Sequence, residues 1–471
     1  MRTKRLACLL RRACGPAMLL FAAVLLMAMA AGCGGGEEET PTGTATPEAP
    51  FAWSPLALPT PQAAITAATG SPGAEACGPA ARQATLSPEA SPGVTNTEIL
   101  LGAETILSGT LGAVYATVPQ ATTAYFNYIN DTQGGVCGRK IVYKVEDNHD
   151  DPARALEAAR KLVEQEKVFA MVGSLGDGPH PGSWEWLNEN GVPDILVSAG
   201  GARFGADPCG NPWTVQMIPS YTIDGTFLAE YISEFHPGKT VAVLWENDTV
   251  GQDGFAGVKQ TLDPSSNPIV AEESYEYTAV SIGSEVATLA KSNADILVLN
   301  AALGFTAQAI STADRLGWHP QLVMPYINGD ELVFNFVRPE LMEGAVATDA
   351  NKLASQKDTD PAVARHFEIM KEYGGPNPSN FTVYAQILGA LAVDILNRSC
   401  DNLTREGLME AVESTTDFHS DLMLDGVNIS FSPTDHVAYQ STRYLRVNVD
   451  ENGKGHWEYF GEVRQFEGQN Q

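Results

Sequence analysis

Residues 129–193 read INDTQGGVCGRKIVYKVEDNHDDPARALEAARKLVEQEKVFAMVGSLGDGPHPGSWEWLNENGVP, and this stretch decides the fold. It opens on a turn, Gly134-Gly135-Val136-Cys137-Gly138. From Lys140 to Asp147 the chain alternates, with Ile141, Tyr143 and Val145 on one face and Val142, Lys144 and Glu146 on the other. A period of two predicts a strand. Asp151-Pro152 predicts a helix start: the carboxylate caps free N–H groups, and proline sits where its missing N–H costs nothing. Ala155, Leu156, Ala159, Leu162 and Val163 then form one apolar stripe, with Arg154, Glu157, Arg160, Lys161 and Glu164 facing water. The apolar run Val168–Val172, closed by Gly173, predicts a buried parallel strand. Strand, helix and strand make a right-handed crossover, which ends in a glycine-rich loop opening onto another helix.

The same alternation extends in both directions. Upstream, Glu98–Ile106 reads as a strand and Ala113–Asn130 as a helix. Downstream, Trp184–Asn190 reads as a helix and Asp194–Val197 as a short buried strand. The pattern pauses near Trp213–Tyr221. It restarts with a helix at Tyr221–Phe235, strands at Thr240–Trp245, Ile269–Tyr275, Asp295–Leu299 and Leu322–Pro325, and helices between them. Two consecutive series of this kind imply an α/β protein with two doubly wound parallel-sheet lobes. After a strand at Ala345–Thr348 come helices at Pro361–Tyr373, Asn380–Asn397 and Thr404–Glu413, and a hairpin-like tail that turns at Gly453.

As a whole the 129–193 stretch resembles the first lobe of type I periplasmic binding proteins, the substrate-binding components of branched-chain amino acid and amide ABC transporters. The resemblance covers about Gly93 to Val463. It implies a leucine-binding-protein-like solute receptor whose two lobes are joined by a three-segment hinge, with crossings near Pro219, Gly344 and Asp421. The first lobe is then expected at residues 93–218 and 345–420, and the second at 219–344 and 421–471. The implied function is capture of a small solute, such as an amino acid, amide, polyol or aromatic compound, for an ABC permease, with no cofactor and no metal.

The first 32 residues read as a signal peptide. Arg2, Lys4, Arg5, Arg11 and Arg12 precede the apolar stretch Ala17–Ala31, which is shorter than the ~20 residues of a membrane span. Ala30-Ala31-Gly32-Cys33 resembles a lipobox, with Cys33 as the expected lipid attachment site and the lipid as the only membrane anchor. Residues 33–92, rich in Pro, Ala, Thr, Gly and Ser, are expected to form a disordered tether. The net charge is −28, and loss of the leader's five basic residues takes the mature chain to about −33, which excludes nucleic acid as a partner. Four cysteines remain in the exported domain, Cys77, Cys137, Cys209 and Cys400. An oxidising compartment favours two disulfides among three pairings. Cys77 and Cys137 each precede a strand of the first sheet, so the expected pairs are Cys77–Cys137 and Cys209–Cys400.

In open α/β sheets ligands sit beyond the carboxyl ends of strands. The loops Ser108–Tyr115, Gly173–His180, Ser198–Phe204, Asn300–Phe305 and Val323–Asp330 meet that condition. The expected ligand contacts are Tyr115, Gly176, Asp177, Gly178, Gly200, Gly201, Tyr221, Asn300, Phe305 and Tyr326. The resemblance places the hydroxyls that hold an amino acid carboxylate at Asp177 and Ala202, and the glutamate that holds its ammonium at Tyr326. All three depart from the family pattern, so a leucine-like ligand is not expected. Asp248 is expected to cap the helix that follows it.

Enzyme motifs are missing. There is no GxSxG, no HExxH and no dinucleotide fingerprint, and Gly238-Lys239-Thr240 leads into a strand where a P-loop needs a helix. His149-Asp150-Asp151 is better explained by helix capping than by metal. The competing readings are a sensory ectodomain, which would need a separate membrane partner because no apolar segment follows before Gln471, and a hydrolase using Asp177 and His180.

Overall fold

The computed structural model describes residues 77–87 and 89–466. The leader, Cys33 and most of the tether lie outside the described residues. Five strands form the first sheet: β1 (Glu98–Thr105), β2 (Lys140–Asp147), β3 (Ala170–Val172), β4 (Asp194–Val197) and β5 (Thr214–Gln216). They run parallel in the order β2-β1-β3-β4-β5. The second sheet holds β6 (Val241–Glu246), β7 (Ile269–Tyr275), β8 (Ile296–Asn300), β9 (Gln321–Val323), β10 (Val346–Asp349), β11 (Ser441–Val449) and β12 (Gly455–Gln465). Its order, β7-β6-β8-β9-β10-β11-β12, repeats the first sheet's winding and then adds an antiparallel hairpin.

Period-two patterning explains the layers. Along β8, Ile296 and Val298 pack on one face of the second sheet, while Leu297 and Leu299 pack on the other. Both faces are covered by helices, so every residue of β8 is buried. In the first lobe, Ile387, Leu391 and Leu396 of helix Asn380–Arg398 cover one face, and Ala159, Leu162 and Leu187 cover the other. Helix Pro152–Arg160 starts as its sequence predicts: Asp151 Oδ1 accepts the Arg154 N–H at 2.9 Å, with Pro152 at the first position.

Two lobe boundaries differ from expectation. The second part of the first lobe does not begin at 345, because β10 pairs with β9 and β11 in the second sheet. Nor does the second lobe resume at 421: Leu422, Met423, Val427, Ile429 and Tyr439 are buried in the first lobe's core, and the return to the second sheet comes at β11. The strand β5 also falls where the sequence pattern paused. Its residues Thr214, Val215 and Gln216 are all buried, and Asn188 bonds to the Trp213 N–H and to the Thr214 hydroxyl.

The expected disulfides are corrected. The pairs are Cys77–Cys209, with Cα atoms 4.4 Å apart, and Cys137–Cys400, at 5.4 Å. Cys77 does not lie beside the start of β2, because the segment that follows it is folded rather than disordered and packs elsewhere. Helix Pro79–Arg82 buries Arg82 completely, where the guanidinium meets Glu406 and Glu413 and lies 5.7 Å from the Trp213 ring. Ser91 and Ala90 then bond to the Leu403 carbonyl and the Arg405 N–H. Cys137 sits in the turn before β2, against the end of helix Asn380–Arg398 where Cys400 follows.

A buried ion cluster ties the carboxyl end of β1 to the start of β4. His180 is fully buried, with Nδ1 2.8 Å from Glu104 of β1 and Nε2 3.0 Å from Asp194 of β4. Ser183 and Asn148 also bond to Glu104, and Asn148 holds the Leu175 carbonyl at 3.0 Å. Burial alone would push the His180 pKa down; the charges of Asp194 and Glu104 overcome this and raise it to about 10.

Two outcomes follow for solution measurements. Non-reducing peptide mapping is expected to recover Cys77 linked to Cys209 and Cys137 linked to Cys400; a Cys77–Cys137 peptide would contradict this packing. The stabilisation from charged His180 is fully present below its unfolded pKa of roughly 6.5 and lost as pH rises through the folded value of about 10. The melting temperature is therefore expected to fall across that window. His180→Gln should lower stability at the acid end and flatten the slope, whereas an unchanged pH profile would exclude the charged imidazole.

Candidate functional site

Parallel strands leave all their carboxyl-end loops on one edge. In each sheet, winding begins between the first and third strands, at β1/β3 and at β6/β8. The loops from both places line one cavity of about 650 Å³, within the roughly 300–1,000 Å³ usual for small-molecule sites. From the first lobe come Ser108–Tyr115 and Leu175–Gly178; from the second come Glu246–Val250, Ala302–Phe305 and Tyr326–Asp330.

Of the expected contacts, Tyr115, Gly176, Asp177, Gly178, Tyr221, Phe305 and Tyr326 line the cavity. Gly200, Gly201 and Asn300 do not. A Cβ on Gly200 would stand 2.6 Å from Tyr221 Cε2 and from the Tyr326 hydroxyl, so this glycine leaves room for the two stacked rings. Gly201 is turned inward and donates its N–H to Asp177 Oδ1 at 2.8 Å. Asn300 ends β8 beneath Gly254, buried and with neither amide atom hydrogen-bonded. Gly176 has φ 125, a conformation that favours glycine, and a Cβ there would meet Pro179 at 2.6 Å.

Asp177 fastens the two lobes. Its Oδ2 accepts the Tyr221 hydroxyl at 2.9 Å while Oδ1 holds Gly201. Burial raises its pKa to about 6 against these hydrogen bonds. The Tyr221 ring stacks on Tyr326, with centroids 5.6 Å apart, and the Tyr326 hydroxyl donates to the Pro219 carbonyl. A second tie lies alongside: Asp253, on helix Thr249–Thr261, accepts the Ala202 N–H at 2.8 Å. His180 is committed to Glu104 and Asp194, so the pairing with Asp177 that a hydrolase would need is not made.

Sequence reading missed much of the acidic lining. Asp150, Glu246, Asp248, Asp330 and Asp349 face the cavity together with Asp177. Two of the missed positions, Asp150 and Asp248, follow β2 and β6, and two more, Glu246 and Asp349, end β6 and β10, so the strand-end rule applied to every strand would have found them. Asp150 and its neighbour His149 both lie in the left-handed region, at φ 57 and φ 55, a cost of about 1–2 kcal/mol per residue. The backbone there is pinned, because Asp147 Oδ1 accepts the N–H groups of Leu107 and His149 while the His149 ring meets the Ser108 hydroxyl. Burial, then Glu246 and Asp151, raise the Asp150 pKa to about 6. Asp248 caps its helix through Gly251, and burial with the adjacent Glu246 raises it to about 9. Burial raises Asp349 to about 7 despite the Ala350 and Asn351 N–H groups.

Aromatic side chains close the remaining wall. Tyr115 meets Phe381 edge-on at 5.7 Å, Phe305 packs on Tyr275 at 4.6 Å, and Tyr384 bonds to Ser198. Among the described residues, no group of three or more His, Cys, Asp or Glu side chains is placed to hold a metal ion.

A family model described as periplasmic binding protein matches residues 98–454. A fatty acid ABC transporter substrate-binding protein from Thermomonospora curvata shares the fold at a TM-score of 0.70 and 22% identity, over 81% of this chain and 96% of that one. A branched-chain amino acid ABC transporter protein from Thermus thermophilus, solved with bound valine, gives a TM-score of 0.70 at 18% identity, over 80% of this chain and 98% of that one. An amino acid binding protein from Pseudomonas aeruginosa is 29% identical over 119 residues, a stretch that spans 25% of this chain and 31% of that protein. With the family model covering most of its length and both sheets wound as two facing lobes, the chain belongs to the periplasmic binding protein family, with the type I fold.

Proposed function

We propose that this protein is an extracytoplasmic solute-binding protein that captures a small molecule between its lobes and delivers it to an ABC import permease, held at the membrane by a lipid on Cys33. The observation that carries the reading is a cavity walled by strand-end loops of both lobes. A solute there touches both sheets at once, so it favours the closed arrangement in proportion to its tighter binding to that state. The work is binding and release, and no step requires covalent chemistry.

The solute is not an α-amino acid held in the usual way. Both oxygens of Asp177 are occupied, the Ala202 N–H is taken by Asp253, and the Tyr326 hydroxyl is spent on Pro219. A ligand carboxylate beside Asp177 would also be repelled in a poorly solvated space.

Native mass spectrometry of the protein purified from its own host is expected to show a small adduct that leaves on unfolding; neither an adduct nor any stabilising compound in a broad thermal-shift panel would remove the capture reading. Calorimetric titration with leucine is expected to give no binding at micromolar concentrations. Asp253→Asn weakens the tie to Ala202, so affinity for the adduct compound should fall about three- to tenfold through a smaller closed population. An unchanged affinity would separate that contact from closure.

A further inference from the structure

The charge of the cavity wall is one-sided. Asp150, Asp177, Glu246, Asp248, Asp330 and Asp349 line it, and no lysine or arginine is among the lining residues. Two of these acids are saturated from within: Asp177 by Tyr221 and Gly201, and Asp330 by the N–H groups of Leu332 and Phe381. Asp150 and Asp349 keep oxygen atoms with no partner among the described residues. No described residue donates a hydrogen bond to the Asp150 carboxylate. All three bonds to the Asp349 carboxylate end on Oδ1. Glu246 is 5 % exposed; its Oε2 takes the Tyr275 hydroxyl and the Ala302 N–H, and its carboxyl group also shares a hydrogen bond with the Asp248 carboxyl, so the two acids face the cavity as a pair. Carboxyl groups gathered around one cavity, with no lysine or arginine among its lining residues, call for a positive partner.

The rest of the wall is apolar or aromatic. Ile106, Leu111, Val118, Leu175, Ile218 and Val250 supply aliphatic surface. Tyr115 and Tyr277 both lie in the field of Asp150 and Asp248. Their rings add a second attraction for positive charge and none for negative. The cavity is too large for a bare ammonium ion and suits a compact organic body.

We propose that the cleft takes an organic cation with an apolar or aromatic body, its ammonium group held between Asp150 of the first lobe and the Glu246–Asp248 pair of the second. This inference rests on the capture reading and names its solute class. Because the charge sits where the lobes meet, one ammonium group contacts acids of both lobes, which couples recognition of charge to closure.

Three probes test it by isothermal titration calorimetry on the purified protein: phenylpropylammonium, phenylbutyrate and phenylbutyramide, which share one body and differ in the charge of the head. Phenylpropylammonium is expected to bind at least about 30-fold more tightly than phenylbutyrate, with the neutral amide between them. Asp150→Asn should weaken the ammonium probe by about tenfold and leave the amide within about threefold, which also shows that the variant is folded. Phenylbutyrate binding as well as or better than the ammonium probe would overturn the cation inference and leave capture standing. Failure of all three, together with a neutral or anionic adduct in native mass spectrometry, would do the same. Failure of all three, with no adduct and no stabilising compound in the thermal-shift panel, would remove both readings.

Discussion

A parallel strand has a direction, and a sheet of such strands delivers all its loops at one edge. In this protein two sheets wound in the same order give their loops to one cavity. Much else follows from that constraint. The inner strands are buried on both faces, so the side chains that face the cavity come from the loops and from the last residues of strands, such as Glu246 and Asp349. Those loops are held by interactions lying just beneath them, of which the Glu104–His180–Asp194 cluster is the most highly charged. That cluster joins β1 to β4 and places the Leu175–Gly178 segment, while Asp177 at its tip reaches Tyr221 at the start of the second lobe's first helix.

Burial then shapes the chemistry of the cleft. Carboxylates removed from water resist ionisation, which is why Asp150, Asp177, Asp248 and Asp349 all have raised pKa values. The protein answers some of this cost with backbone N–H groups and tyrosine hydroxyls, and leaves some of it unanswered. The unanswered part lies at Asp150 and at Oδ2 of Asp349, where the wall is open to whatever fills the cavity.

Much of the architecture was legible because period-two and helical periodicities are strong in a doubly wound fold: the spans of β2, β4 and β7 and of helix Tyr221–Phe235 can be read directly from residue spacing. Other features depend on contacts between distant residues and leave no local mark. The Cys77–Cys209 pair is one, because it depends on where the segment around Arg82 docks. The late return to the second lobe is another, since residues 422–440 carry no periodicity that assigns them to either core. Of the residues expected from loops after strands, Tyr115, Asp177, Phe305 and Tyr326 line the cavity, whereas Asn300 has the right position in sequence but ends facing Gly254. Which way a strand's last side chain points is decided by the pleat and by the helix above it.

The docked N-terminal segment has a mechanical consequence. Cys77 is covalently joined to Cys209, and Arg82 is clamped between Glu406 and Glu413, all within the first lobe. Tension applied through the residues that precede Cys77 is therefore borne by a cross-link at one lobe and does not run through β1 or the segments that connect the lobes. The chain can be pulled at that point without being unzipped, because the load enters the first lobe through its cross-link.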